Sequence, residues 1–270
     1  MTKADLKRWA PWLALVLVFA LATSLLSWWQ FSRREERVEK INQVIENYDK
    51  PAIAFDDISW VLDETGLATQ EWQPVEVRGK YLPEYLTLVR NRPLNGQPGY
   101  LQLVPFKIET GEIIIIERGW LPTGTNKSLP DLNPAPRSET KTVTIRLRSS
   151  EADLGKAPVE GQVASIHLPT LANLLSSQGD VVTDFYGRLV SESPASDQYP
   201  FLMPKPSLSE GNHLSYAIQW IVFGLMAFWA FLWAYRNDRR LAKEAAGLIP
   251  KREAKRNQGV IDAEAEDYFG

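Results

Sequence analysis

Two long apolar runs, one near each end of the chain, dominate the pattern of hydrophobic and polar positions. Residues 9–31 read WAPWLALVLVFALATSLLSWWQF, residues 216–235 read YAIQWIVFGLMAFWAFLWAY, and neither run contains a charged residue. Each has the roughly 20 residues that an α-helix needs to cross about 30 Å of hydrocarbon. Trp or Tyr brackets both runs, as is typical of the headgroup level. The pattern predicts two transmembrane helices, at residues 10–31 and 215–235.

The first run must be distinguished from a cleaved signal peptide. Basic residues precede it at positions 3, 7 and 8, and an A-x-A pattern stands at residues 20–22. The apolar stretch is nevertheless longer than the 7–15 residues of a signal core, and it continues past the A-x-A pattern to Trp28 and Trp29. We therefore expect an uncleaved anchor.

Lysine and arginine residues are distributed unevenly around the two predicted spans. Basic residues cluster between 236 and 243, just after the second span, whereas only Lys205 lies close before it. Cytoplasmic flanks carry the excess of basic residues, so this bias predicts a cytoplasmic C-terminus. The N-terminus then lies on the same side, as its own basic residues favour, although three arginines between 33 and 37 count against it.

These assignments divide the chain into five segments. The predicted segments are a cytoplasmic tail at 1–9, the two spans, an extracytoplasmic domain at 32–214 and a charged cytoplasmic tail at 236–270. The tail carries basic residues at 251–256 and acidic residues at 262–267. This composition favours a solvated tail, and electrostatic contact with anionic membrane lipid is the alternative.

Directly after the first span the apolar residues keep a helical period. Val38, Ile41, Ile45 and Tyr48 fall three, four and three residues apart, with charges opposite. We expect the first helix to continue outward and to stop near Pro51. A short helix is also expected at residues 56–62.

Beyond that point the period changes to the alternation of β-strands. One helix interrupts the strands, at residues 169–179. The predicted fold is an α+β membrane protein, in which two transmembrane helices flank one β-rich, antiparallel, barrel-like extracytoplasmic domain. The strands are predicted at residues 75–82, 86–90, 100–108, 112–121, 142–148, 162–168 and 184–190.

Composition excludes several kinds of function. The chain has 270 residues, a formal net charge of −3 and no cysteine, so it is not expected to bind nucleic acid, form disulfides or hold a thiolate metal site. It contains no G-x-S-x-G, P-loop, G-x-G-x-x-G or H-E-x-x-H motif. Its two histidines are too few for a zinc site without cysteine. His167 is expected to be structural, and no enzymatic activity is predicted.

His213 differs because it stands at the start of the second span. On a helix, His213, Tyr216 and Trp220 share one stripe, with Gly224 one turn beyond. The stripe suits a polar cap at the membrane interface, where His, Tyr and Trp are all common. The alternative is a haem site, because imidazole is a good ligand for haem iron and a small residue beyond aromatic side chains leaves room for a flat macrocycle.

A second candidate is the end of the strand IIIIERGWLP at residues 113–122. Arg118 at this point could pair with its neighbour Glu117 or with an anionic partner. The plainer interpretation is a strand that ends in a turn permitted by Gly119.

Taken in order, these pieces resemble the Surfeit locus protein 1 family of cytochrome c oxidase assembly factors, over residues 10–237. The resemblance rests on the WWQ exit at 28–30, VEVRGKY, Arg90 before a glycine-rich turn, PGYLQLVPF, ERGWLP and NHLSYAIQW. The tail from residue 238 has no counterpart. Because the chain lacks a Ser/Arg-rich presequence, it resembles a bacterial member, which implies a location in the plasma membrane.

The resemblance implies a membrane-anchored factor that binds haem A transiently and helps to deliver or insert it into subunit I of the oxidase. His213 matches the histidine proposed as a haem ligand, with Tyr216 and Trp220 in the same motif, and Gly119 and Trp120 match an R-G-W motif. Haem A synthase is a further expected partner. A membrane-anchored interaction module that stabilises an oxidase intermediate without contacting haem is the competing hypothesis.

Overall fold

The computed structural model describes residues 3–63, 68–125, 129–159 and 161–250, with side chains from residue 7 onward. They divide into a helical unit, formed by the segments up to residue 35 and from residue 211, and a β-rich unit at 36–210. The helices are α1 (Lys3–Asn47), α2 (Leu168–Leu174) and α3 (His213–Ala245). The strands are β1 (Ile53–Ala54), β2 (Pro74–Tyr81), β3 (Thr87–Val89), β4 (Gly99–Ile108), β5 (Ile113–Pro122), β6 (Thr140–Ser149), β7 (Gln162–Val163) and β8 (Phe185–Ser193).

Most of the predicted elements are present, and the differences are local. The first helix continues to Asn47, as its apolar period predicted. The helix predicted at 56–62 is wrong, because only a 3-10 turn forms, at Phe55–Asp57. The strand predicted at 162–168 is only two residues long, because the chain turns into α2. Of the predicted charged tail, residues 251–270 lie outside the described residues.

Five strands close into a barrel in the order β2–β6–β8–β5–β4, with β4 pairing back onto β2. The predicted barrel-like sheet is confirmed and four of its five strand pairs are antiparallel, but β5 and β8 run parallel. A closed ring with an odd number of strands cannot alternate direction throughout, so one pair must be parallel. At the closing seam, a Cβ on Gly79 would lie 2.2 Å from the carbonyl oxygen of Lys107, so the glycine permits the two strands to meet.

Successive side chains along each strand point to opposite faces of the sheet. One face lines the barrel interior, and the other carries a second apolar layer outside the barrel. On β5, Ile114 and Ile116 point into the barrel, whereas Ile115 points outward against α2. The outer layer is completed by Leu168 and Leu171 of that helix. The barrel interior is filled by Val75, Val77, Val104, Phe106, Ile108, Val143, Ile145, Leu147, Phe185 and Leu189.

Within the β-rich unit, the end of α1 is fastened to the barrel wall. Asn47 donates to the carbonyl oxygens of Thr69 and Glu71 at 3.0 and 2.8 Å. Beyond it, Arg146 of β6 lies 3.6 Å from the ring centroid of Tyr48. Such cation–π contacts and hydrogen bonds hold the last turns of α1 in a fixed position on the sheet.

In the helical unit, α1 and α3 pack through small residues. Ser27 donates to the carbonyl oxygen of Ala217 at 3.0 Å, and a Cβ on Gly224 would lie 2.9 Å from Thr23 Oγ1. Contacts of this kind are typical of helix pairs in membranes. The remaining faces expose large apolar side chains, among them Trp229, which is 68% exposed. Both helices are long and apolar enough to be candidate membrane spans.

Candidate functional site

His213 is the first residue of α3 and contacts the end of the apolar part of α1. Its Nδ1 lies 2.9 Å from Oε1 of Gln30, 183 residues earlier in the chain. An amide oxygen can only accept a hydrogen bond, so Nδ1 is the donor in this contact, and in the neutral imidazole the lone pair lies on Nε2. No residue in the described ranges hydrogen-bonds Nε2. The imidazole is therefore oriented at one nitrogen and available at the other.

The other two residues of the predicted stripe occupy different settings on α3. Trp220 is partly buried, with its ring 5.9 Å from that of Phe223, whereas Tyr216 is 50% exposed. Gly224 does not leave an open space beyond them, because Thr23 of α1 fills it. The space over Gly224 is therefore not open to a flat ligand.

The donor set at His213 is one imidazole, which would suit haem iron better than a bare metal ion. Within the described parts of the chain, no three His, Asp or Glu side chains come together as metal ligands. A single imidazole whose second nitrogen donates to an oxygen is the usual arrangement of a metal-bound histidine. An iron ion here would have to bring its remaining ligands with it, as haem iron does.

A second polar cluster closes one end of the barrel interior. At this end of the barrel, the inward-facing residue nearest the end of each of the five strands is polar. These buried residues are Tyr81, Gln102, Arg118, Lys141 and Glu192. Glu192 accepts from the Tyr81 hydroxyl at 3.0 Å and lies 3.4 Å from Lys141 Nζ. Burial, and next the negative charge of Glu192, raise the pKa of Tyr81 well above its ordinary value.

Arg118 contacts residues of this cluster and does not pair with its sequence neighbour Glu117. Its guanidinium donates to Gln102 Oε1 at 2.8 Å and lies 3.9 Å from Glu192. Glu117 points to the other side of β5, where Arg188 lies 3.0 Å away. Because successive side chains on a strand face opposite sides, the pairing of Glu117 with Arg118 that the sequence left open is excluded.

Gly119 and Trp120, the other two residues of the R-G-W motif, contact the segment that follows β8. Trp120 and Phe201 exchange two backbone hydrogen bonds, at 2.7 and 2.8 Å. Gly119 has φ +144°, and a Cβ there would lie 2.4 Å from the carbonyl oxygen of Phe201. The glycine therefore permits a strand-like pairing, not the simple turn that the sequence indicated.

The indole of Trp120 also contacts Arg92, which forms a partly buried ion pair. Its Nε1 donates to the carbonyl oxygen of Arg92 at 2.6 Å, and Arg92 pairs with Glu151. Partial burial alone would raise the pKa of Glu151, but hydrogen bonds from Arg92 and the Ile166 amide outweigh it and lower that pKa below its ordinary value. Gly119 and Trp120 thus join β5 to the segment at Phe201 and to the loop at Arg92.

Comparison with known proteins identifies the family. The SURF1 family model matches residues 17–225, which include Gln30, His213 and the polar cluster at the end of the barrel. The chain belongs to the SURF1 family. It is 32% identical to an uncharacterized SURF1-like protein of Mycobacterium bovis over 251 residues, 88% of this chain and 89% of that protein. A SURF1-like protein of Rickettsia bellii is 25% identical over 219 residues, 78% of this chain and 85% of the relative. The SURF1 family is generally linked to oxidase assembly.

Several residues of this SURF1-family chain were not singled out from sequence. Gln30 stood in the WWQ motif without a role, because nothing in the sequence relates it to His213. Lys141 and Glu192 were also missed, although each is a charged residue at an inward-facing position of a strand. His167 lies at the N-terminus of α2, where its Nδ1 is 2.8 Å from Thr170 Oγ1.

Proposed function

We propose that this SURF1-family chain is a membrane-anchored assembly factor for cytochrome c oxidase, which binds haem A and assists its delivery to or insertion into subunit I. The observation that carries the proposal is the geometry of His213, with Nδ1 fixed by Gln30 and Nε2 available. Haem A synthase is a further partner. The protein acts without catalytic turnover.

The chain's own residues would hold the haem from one side. His213 would supply an imidazole nitrogen to the iron, and Gln30 would keep its tautomer and orientation. Tyr216 and Trp220 supply aromatic surface beside it. Bound haem A contributes the iron and a large apolar ring, which suits a site at the start of an apolar helix.

We further propose that α1 and α3 span a bacterial plasma membrane with both termini in the cytoplasm. The support is the exposed apolar surface of the two helices and the excess of basic residues after the second one. A reporter that fluoresces only in the cytoplasm, fused after Arg240, should be bright. A dark fusion with normal expression would reverse the orientation.

A haem-independent interaction module is the second candidate, and one surface of the β-rich unit favours it. Phe201 and Leu132 are 66% and 73% exposed and belong to the walls or rim of a cavity of about 460 Å³. Exposed apolar patches of this kind often mark protein contacts. This surface would contact an oxidase assembly intermediate without any role for His213.

One experiment separates the two candidates. In a strain that lacks the native gene, the wild-type chain and the His213→Ala variant are compared for copurification with subunit I and for the haem A content of the oxidase. The proposal expects that His213→Ala copurifies normally but leaves the oxidase short of haem A. Full haem occupancy with the variant would favour the haem-independent module.

A further inference from the structure

A cleft of about 310 Å³ lies between the outer part of α1 and the barrel wall, wholly within the β-rich unit. One side is formed by the helix face that carries Arg37 and Lys40. The opposite side is formed by residues 68–72 and the end of β6. We call it the basic cleft; its walls include buried apolar side chains, namely Ile41, Val44, Ala68 and Trp72.

Positive charge exceeds negative charge around the basic cleft. Its charged lining residues are Arg37, Lys40, Arg148 and Glu71. The carboxylate of Glu71 is already bound, because Arg148 Nε donates to it at 2.7 Å and the Ser149 amide at 2.9 Å. The remaining charge of this lining is therefore that of two cations.

The cations differ in how firmly they are placed. Arg148 lies 3.7 Å from the ring centroid of Trp72, and Arg37 donates to the carbonyl oxygens of Ser209 and Ser207 at 3.2 and 3.5 Å. Lys40 has no hydrogen bond or ion pair with any described residue. Two positioned guanidinium groups and one unengaged ammonium group suit a phosphate oxyanion, which Arg binds through paired donors and Lys as a point charge.

The position of the cleft along α1 indicates where such an anion would come from. Arg37 and Lys40 follow Phe31, the end of the apolar run, by six and nine residues. At 1.5 Å per residue these are about 9 and 14 Å of helix, and long basic side chains extend back towards the interface. If α1 spans a membrane, as proposed above, these two basic side chains follow the span closely enough to meet lipid headgroups.

We propose that the basic cleft binds a phosphate-bearing anion, and that in the membrane this anion is the headgroup of an anionic phospholipid. The phosphate contacts Arg37, Lys40 and the free donors of Arg148. The apolar walls contact the glycerol and the first methylene groups of the lipid. This site is independent of His213 and requires no haem.

Native mass spectrometry of the full-length protein in detergent tests the proposal. Phosphatidylglycerol, phosphatidylcholine and inorganic phosphate are titrated separately, and phosphate is also used as a competitor. The wild-type chain should retain phosphatidylglycerol in preference to phosphatidylcholine. The R37Q/K40Q variant should bind phosphatidylglycerol at least about tenfold more weakly, as expected from the loss of charge-assisted hydrogen bonds.

Two variants control for folding and for general charge. R137Q/K156Q removes one Arg and one Lys outside the cleft and should bind phosphatidylglycerol like the wild type. K40Q changes a side chain without a described partner, so it should weaken binding without altering thermal unfolding. Displacement by millimolar phosphate would show that free phosphate also occupies the site, and its absence would assign the site to lipid. Equal binding by R37Q/K40Q and the wild type, or an equal loss in R137Q/K156Q, would overturn the proposal.

Discussion

At the scale of single residues, the candidate site of the helical unit depends on two side chains. Gln30 and His213 come from opposite ends of the chain, and one hydrogen bond between them decides which imidazole nitrogen is free. Sequence reasoning identified His213 because a histidine stands out at the start of an apolar run. It could not identify Gln30, because a contact between residues so far apart depends on how the two helices pack.

Replacing Gln30 by Leu tests this orientation. Without an acceptor for Nδ1, the ring is free to rotate and to change tautomer, so we expect affinity for haem A to fall roughly 10–100-fold while His213 remains in place. Gln219→Leu changes an exposed glutamine of α3 and serves as the control. The measurement is a haem A titration followed by absorbance, and equal dissociation constants for the two variants would contradict a positioning role.

Gly119 is the second residue whose identity the backbone dictates. An alanine there would combine an unfavourable φ with a clash against Phe201, which breaks the pairing of Trp120 with that segment. Gly155→Ala is a matched control, since that glycine also has positive φ but has open space around it. We expect Gly155→Ala to cost about 1 kcal/mol and Gly119→Ala at least twice as much, or roughly 4–8 °C in thermal midpoint. Equal midpoints would show that the pairing with Phe201 does not contribute.

At the scale of elements, the local pattern of polar and apolar residues was sufficient to predict the long strands but not their arrangement. Strands β2, β4, β5 and β6 lie within two residues of the predicted bounds. In β2 and β6 buried residues alternate with more exposed ones, whereas β4 and β5 are buried at nearly every residue. The pattern failed at residues 162–168, where Ile166 and Leu168 are both buried against the sheet as the chain enters α2. Strand order, and with it the parallel pair, is not encoded in any single strand.

The cluster that closes the barrel gives a prediction about buried charge. Glu192→Leu would leave Lys141 and Arg118 without the carboxylate that their buried side chains share. Removing one partner of a buried ion pair costs about 3–5 kcal/mol, so the thermal midpoint should fall by roughly 6–20 °C. Arg137→Ala removes a pair with Asp197 that is more than 70% exposed, and it should have little effect. Similar midpoints for both variants would contradict a stabilising role for the cluster.

The Arg92–Glu151 pair predicts a dependence of stability on pH. The folded-state pKa of Glu151 lies below the ordinary value of 4.5, so the carboxylate contributes stability above that pH. This contribution is lost as the pH falls through the folded pKa. Thermal unfolding of the wild type and Glu151→Gln between pH 7 and pH 3 should show a gap of a few degrees at most, which closes in acid. A gap that does not change with pH would contradict this assignment.

At the scale of the whole molecule, the two units separate two kinds of chemistry. The helical unit holds His213 at the start of an apolar helix. The β-rich unit holds a closed barrel whose R-G-W motif fixes the segment after β8. Membership of the SURF1 family accounts for the presence of both in one chain, and the match from 17 to 225 includes them together. The order of the motifs was sufficient to infer the family. The structural role of each motif depends on contacts between distant segments, which the sequence does not reveal.

The central claim is that haem A binds at His213, and optical absorbance of the purified protein tests it most directly. The full-length chain, the His213→Ala variant and the His167→Ala control are purified from cells that make haem A, and their Soret bands are compared at equal protein concentration. The account predicts a Soret band in the wild type and in His167→Ala, and its loss or marked reduction in His213→Ala. Absence of the band from the wild type, or an unchanged band in His213→Ala, would contradict the claim.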